Sequence, residues 1–344
     1  MPYDLAGYQF DVTEFFTDDC MAAITDVRVS SPEDVYEHAA ARKRRATLTR
    51  QGKLVILAAD HPGRNITKSG DDELVMGNRQ EYLGRVLRVV TAGDVDGFMA
   101  TPDVVEDCLI ADMLVQRAGG PSFLDEKVIL GSMNRGGLAG TVFEMDDTFT
   151  SFSAESIAEL NLDGAKLMLR LDPESSESGD TIYYSSQAIN DCVDLGLPIF
   201  IEPLAVKGRE DKHKAVKEAG PLIKMAGVAS ALGKTSLSSW LKMPYCDGYE
   251  RVAKATTLPI LMLGGESRGD PTPVIAEFAE GMKAGANVRG ALCGRNILFP
   301  GDDDPRAVAA AVAAVVHESA TAAKAVDKLQ KVRGKNMDDL AKWL

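Results

Sequence analysis

Eight short apolar runs, each followed by a stretch of helical spacing, constrain this chain more than any other feature of its sequence. The runs are Leu54–Ala59, Val95–Met99, Val128–Gly131, Ala165–Leu169, Pro198–Glu202, Ser239–Met243, Pro259–Leu263 and Val288–Cys293. They are continuous rather than alternating, as expected of parallel strands buried on both faces. The intervals are long enough for a crossover helix each, for example around Leu83–Val90, Ala154–Leu160, Ser185–Leu195, Gly248–Ala255 and Pro273–Ala284. Eight βα units imply closure, so the expected fold class is α/β, a single (β/α)8 TIM barrel with an N-terminal helical extension. A doubly wound sheet is the rival, but no Gly-x-Gly-x-x-Gly follows the first run to support a dinucleotide domain.

The expected organisation is an N-terminal helical extension over residues 1–50, a catalytic barrel over 51–328 and a C-terminal helical tail over 329–344. In the extension, Ser31-Pro32-Glu33-Asp34 reads as a helix start, with a hydroxyl cap, a first-turn proline and acids near the positive helix end. That helix is expected to run into Arg42-Lys43-Arg44-Arg45, a basic cluster read as a solvated helix end favoured by the macrodipole rather than as a nucleic-acid patch. Near the C-terminus, 305–328 reads as one closing helix.

Composition narrows the partners. A chain of 344 residues with 45% hydrophobic and 26% charged residues is long enough for one large core. Its net charge of −13 argues against nucleic-acid binding while leaving room for a local cationic pocket around a small anionic substrate. The five cysteines are widely spaced and include no Cys-x-x-Cys pair, which fits a reducing compartment. The start MPYDLAGYQF lacks a basic region followed by an apolar core, and the longest apolar run, Ala307–Val316, is too short to cross a bilayer. A cytoplasmic protein with no membrane partner is expected.

In a barrel, reactive groups project from the C-terminal ends of strands and the loops that follow. The first run ends in Ala59-Asp60-His61-Pro62-Gly63-Arg64, the fourth carries Lys166, the fifth ends at Glu202, and the sixth carries Lys242 within Trp240-Leu241-Lys242-Met243-Pro244-Tyr245. A desolvated lysine loses basicity, and its neutral amine attacks carbonyls. Lys166 near Lys242 would lower the pKa of the nucleophile by like-charge repulsion, while Asp60 and Glu202 could move protons. Each residue also has a plainer reading: Asp60 as a helix cap, Lys166 with Glu202 as a buried structural ion pair, and Lys242 as a strand-end side chain reaching for solvent.

The seventh and eighth runs end in Leu263-Gly264-Gly265-Glu266-Ser267 and Cys293-Gly294-Arg295-Asn296. Gly264, Gly265 and Gly294 can let backbone amides approach an anion, and Arg295 can add a bidentate contact, where barrels commonly hold phosphate. The same glycines also suit tight turns alone. His61 and Ser267 are further pocket candidates. Gly227 to Thr235 resembles a P-loop, but five residues separate its glycines where four are needed. Of the four histidines only His61 lies at an expected strand end, so a catalytic metal is not implied, and carbonyl chemistry on a lysine requires no organic cofactor.

These segments together, AADHPGR, GAKLMLRLDP, FIEPL, WLKMPY, LGGES and CGRNI, resemble the class I, Schiff-base aldolases of the superfamily that includes tagatose-bisphosphate, archaeal-type fructose-bisphosphate and deoxyribose-phosphate aldolases. The resemblance covers about residues 50–300 and looks closer to an actinobacterial branch associated with inositol catabolism. It implies Lys242 as the Schiff-base lysine, Asp60 in carbinolamine dehydration, Glu202 in proton transfer and Lys166 in tuning the site or contacting substrate. Gly264, Gly265, Gly294 and Arg295 would hold the phosphate of a dihydroxyacetone-phosphate moiety, released from a phosphorylated sugar such as 2-deoxy-5-keto-gluconate 6-phosphate. It also implies a homo-oligomer. The 50-residue extension and the stretch GSMNRGGLAG depart from the simpler members. A transaldolase-like or thiolase-like phosphosugar transferase using the same lysine, and a non-catalytic phosphosugar-binding barrel, are the competing functions.

Overall fold

The computed structural model describes residues 3–209 and 212–344. In chain order its strands are β1 (Leu54–Ala59), β2 (Gly97–Ala100), β3 (Val128–Ser132), β4 (Gly164–Leu171), β5 (Ile199–Arg209), β6 (Lys212–Ala215), β7 (Ser239–Pro244), β8 (Ile260–Leu263) and β9 (Val288–Cys293). All but β6 are parallel to their barrel neighbours. They run β4-β3-β2-β1-β9-β8-β7-β5, and β4 pairs with β5 to close the ring, so the expected (β/α)8 barrel is the observed fold.

Helices α1 (Asp18–Ser30) and α2 (Asp34–Ala41) precede the barrel. The crossover helices are α3 (Arg79–Val90), α4 (Pro102–Arg117), α5 (Ala154–Glu159), α6 (Glu177–Asp194), α7 (Ala219–Ser230), α8 (Tyr249–Ala253) and α9 (Thr272–Gly281), and α10 (Arg295–Leu298), α11 (Pro305–Glu318) and α12 (Ala322–Val332) follow β9. Local chemistry sets several starts. Asn78 accepts from the amides of Gln80 and Glu81 ahead of α3, and Asp304 caps α11 with Pro305 next in line.

Burial on both faces of the strands gives two apolar layers. Inside the ring, Leu54, Ile56, Ala58, Met99, Val128, Leu130, Phe200, Leu261 and Leu292 form a plug closed by Trp240, whose ring stacks on Phe200 at 5.5 Å. The larger layer lies between the strands and the helices. Every side chain of β1 is buried, which is why its sequence reads as one unbroken apolar run.

Several local expectations are corrected. β5 continues past Glu202 to Arg209 and folds back on β6 as an antiparallel hairpin, because the run Leu204-Ala205-Val206 keeps strand character beyond the barrel rim. Helix α1 lies within the expected helical extension although no start signal was read for it, and α2 starts without a side-chain cap from Ser31. The basic cluster is solvated only in part: Lys43 faces water as expected, while the arginines reach the barrel. Arg42 is buried, donating to the Lys127 carbonyl at 2.9 Å and pairing with Asp163 at 2.9 Å, while Arg44 pairs with Asp163 at 2.8 Å and Arg45 with Asp96 at 3.2 Å. Arg42 and Arg45 stitch the pre-barrel segment onto the barrel through largely buried contacts, and Arg44 adds one while remaining half-exposed. The closing segment is two helices, not one, and beyond Val332 the chain continues mainly as turns. Among the described residues, no helix is long and apolar enough to cross a membrane.

Candidate active site

The strands place charge at the barrel mouth by simple alternation. Positions two apart share a face, so the inward face that carries Ala58, Phe200 and Trp240 in the plug continues upward to Asp60, Glu202 and Lys242. On β4 the partner position is Lys166, aligned with Phe200 in the β4–β5 register. The apolar plug lies directly below a buried layer of four charges.

That layer is fully connected. Lys166 Nζ lies 3.1 Å from Asp60 Oδ2 and 2.9 Å from Glu202 Oε2, and the same Glu202 oxygen accepts from Lys242 Nζ at 2.9 Å. One carboxylate oxygen therefore bridges two ammonium nitrogens. Asp60 Oδ1 has no hydrogen-bond partner among the described residues.

The electrostatics separate the two lysines. Burial by itself pushes the Lys166 pKa down, but the Asp60 and Glu202 carboxylates outweigh it and the group is raised, a fixed cation. Lys242 is lowered: burial acts in the same direction as repulsion from Lys166, and together they overcome the attraction of Glu202. Burial works against ionisation of both acids, yet the lysines win. Glu202 is held down to about 2, and Asp60, against Lys166, well below the usual carboxylate range. This distribution supplies a permanent cation, two carboxylates and one amine disposed to lose its proton, which is what attack on a carbonyl needs.

Above the charged layer opens a cavity of about 450 Å³ lined by Glu202, Pro244, Leu263, Gly265 and Arg295, together with residues that the sequence did not single out. Arg64, Arg135, Arg170, Lys214 and Lys217 bring cations, and among the described residues only Glu144, Glu202 and Glu266 bring carboxylates. Arg170 is paired with buried Glu144, whereas the Nε of Arg64 and of Arg295 are buried without hydrogen-bond partners among the described residues. In an acidic chain, this concentration of cations marks a pocket for anions. Arg170 was legible in principle, since Lys166, Met168 and Arg170 share one face of β4. Arg135, Lys214 and Lys217 sit on a loop and a hairpin whose positions depend on the finished fold.

The remaining candidates fall in different places. Arg295 and Gly265 line the cavity, and Arg295 faces Glu266 at 3.6 Å. Gly264 and Gly294 are also demanded by packing. A β-carbon on Gly264 would lie 2.5 Å from Cys293 Sγ, and one on Gly294 would lie 2.3 Å from the His61 ring. His61 is buried behind that contact, with Nδ1 3.5 Å from the Tyr82 hydroxyl. Burial first, helped by the nearby Arg295, Arg64 and Lys242 charges, overcomes the attraction of Asp60 and lowers its pKa to about 3, which keeps the ring neutral. Ser267 lies outside the main cavity, bonded to the Phe299 carbonyl on the wall of an adjoining pocket of about 380 Å³ that shares Ile66, Glu266 and Arg295. Among the described residues, no three His, Cys, Asp or Glu side chains stand close enough to hold a metal ion.

Comparison with known proteins agrees with this architecture. No functionally curated protein matches the chain. The solved structure of Cgl0159 from Corynebacterium glutamicum is 33% identical, covers 88% of this chain and 98% of its own, and superposes with a TM-score of 0.81. A Schiff-base-forming fructose-1,6-bisphosphate aldolase (20% identity, 82% of this chain and 100% of its own, TM-score 0.55) and the fructose-bisphosphate aldolase of Slackia heliotrinireducens DSM 20476 (14%, 94% and 94%, TM-score 0.59) share the fold. The barrel is thus aldolase-like in architecture. The profile of the Cgl0159-like family matches residues 52–316, from just before β1 into α11, and with it the chain belongs to the Cgl0159-like family.

Proposed function

We propose that this protein is a class I aldolase that makes and breaks a carbon–carbon bond in a phosphorylated sugar through an imine on Lys242. The observation that carries the reading is the shared Glu202 oxygen, 2.9 Å from both Lys242 and Lys166 at the floor of a cationic cavity. A lysine of lowered pKa is paired there with a base in hydrogen-bond reach and a neighbouring cation that stays charged. The Schiff-base chemistry named for one structural neighbour supports the same reading.

The steps follow from the geometry. Neutral Lys242 adds to the ketone, and the carbinolamine loses water with Asp60 and Glu202 positioned to move the protons. The iminium withdraws electrons from the adjacent carbon–carbon bond. Glu202 takes the hydroxyl proton as the aldehyde leaves, and the enamine is then protonated and hydrolysed to the ketone product. Lys166 holds both carboxylates ionised.

Substrate charge is read from the walls. Gly265 and Arg295, after β8 and β9, suit the phosphate of a dihydroxyacetone-phosphate half. Across the mouth, Arg135 after β3, Arg170 on β4 and Lys214 on β6 favour an aldehyde half that is itself anionic. A substrate such as 2-deoxy-5-keto-gluconate 6-phosphate, with a phosphate at one end and a carboxylate at the other, meets both requirements. The decisive experiment is borohydride reduction in the presence of dihydroxyacetone phosphate, followed by peptide mapping. A reduced adduct on Lys242 that disappears in Lys242→Ala is expected, and an unmodified Lys242 peptide would overturn the mechanism.

A further inference from the structure

We infer that Lys217, carried by the β5–β6 hairpin, is a phosphate ligand that sets the preference for phosphorylated over unphosphorylated ketones. The inference rests on the phosphosugar reading for its choice of ligand. Its evidence is the position of one nitrogen: a β-carbon built on Gly265 would lie 2.7 Å from Lys217 Nζ, so the ammonium occupies the space that the missing side chain leaves open. Gly265 has φ +74, a conformation that presents its backbone as other residues rarely do. Both line the cavity with Arg295, whose Nε is buried and without a hydrogen-bond partner among the described residues.

The hairpin explains why a lysine from so distant a segment arrives here. β5 outruns the barrel and pairs with β6 through Val206 to Ala215, Lys207 to Lys214 and Gly208 to His213, and the Val216 amide then donates to the Ala205 carbonyl at 2.8 Å. Lys217 follows immediately, one residue before Glu218, the residue that precedes α7 and accepts from the Leu222 amide. Its backbone is therefore anchored on both sides. No ion pair joins Lys217 to a carboxylate among the described residues, so its charge faces the cavity available for an anion. Gly265, Arg295 and Lys217 thus converge from the β8–α9 loop, the start of α10 and the hairpin exit. An ammonium beside a guanidinium gives a dianionic phosphate two cationic partners where a neutral hydroxymethyl group would gain neither.

The test uses the full chain and inorganic phosphate. Equilibrium dialysis at low ionic strength should show Lys217→Ala and Lys217→Gln weakening phosphate about tenfold, with Lys217→Arg close to wild type. In parallel, borohydride trapping should show that Lys217→Ala loses most of the preference for dihydroxyacetone phosphate over dihydroxyacetone, while dihydroxyacetone still labels Lys242. Phosphate bound as tightly by Lys217→Ala as by wild type, or no phosphate binding by wild type, overturns the inference. If phosphate binding depends on Lys217 but no ketone labels Lys242, the phosphate ligand stands and the imine mechanism falls.

Discussion

Replacing Glu202 with Gln tests the charged layer at the point where its parts meet. The substitution keeps the shape but removes the charge that Lys166 and Lys242 share at 2.9 Å each. Two buried amino groups are then left with Asp60 as their nearby carboxylate. Breaking a buried ionic contact costs about 3–5 kcal/mol. The cost here should sit near the lower end, because the amide oxygen still accepts a hydrogen bond and Lys242 can escape by giving up its proton. With about 2.1 cal/mol/K of unfolding entropy per residue over 344 residues, about 3 kcal/mol lowers Tm by about 4 °C. Without the carboxylate that opposes its neutralisation, the Lys242 pKa should fall further, so imine formation should persist at lower pH than in wild type. Turnover should nevertheless drop by about 10²-fold to 10⁴-fold, the range for loss of a proton-transfer group. Calorimetry, borohydride trapping across pH and steady-state cleavage assays separate these effects. A Glu202→Gln protein that turns over within about threefold of wild type refutes the proton-transfer role. A trapping profile that shifts to higher pH refutes the electrostatic argument.

Acid stability should follow the same residues. Glu202 titrates near 2 in the folded protein against an ordinary value of 4.5, so the folded state binds fewer protons between those values. Its stabilisation, about 3 kcal/mol, is complete above about pH 4.5 and lost as pH falls towards 2. Tm measured from pH 6 to 3 should decline less steeply in Glu202→Gln, and equal slopes would contradict the assignment. Arg88→Met should lower Tm by about 4–7 °C, since buried Arg88 forks onto Asp304 at 3.1 and 2.7 Å and also serves the Lys335 and Asn336 carbonyls. A shift under 1 °C, read by calorimetry, would show that this pair contributes little. Gly265→Ala places a methyl group in a left-handed backbone position and against Lys217, so it should cost about 1–2 kcal/mol and raise KM for a phosphorylated ketone with little change in kcat. An unchanged KM would place the phosphate elsewhere.

Much of this was legible before any coordinates. Parallel strands buried on both faces leave continuous apolar runs, and β1 and β9 have the bounds expected from their runs. The hairpin was missed because Ala205 to Lys214 mixes apolar and charged residues and because its pairing is made outside the barrel. Arg42 was misread because a basic residue near a helix end is usually solvated, and only docking against the barrel brings the Lys127 carbonyl and Asp163 to it. Arg170 carried a periodic signal, whereas Lys217 carried none.

By itself the sequence determined the eight βα units and the placing of Asp60, Lys166, Glu202 and Lys242 at or near strand ends, because apolar runs and their bounds are local properties. Only the closed tertiary structure decided that one Glu202 oxygen serves both lysines, that Lys166 remains charged while Lys242 is driven towards neutrality, and that Lys217 reaches Gly265. Desolvation and Coulomb coupling depend on distances between strands that are remote in the chain, and those distances exist only once β4 has met β5 and the ring is shut.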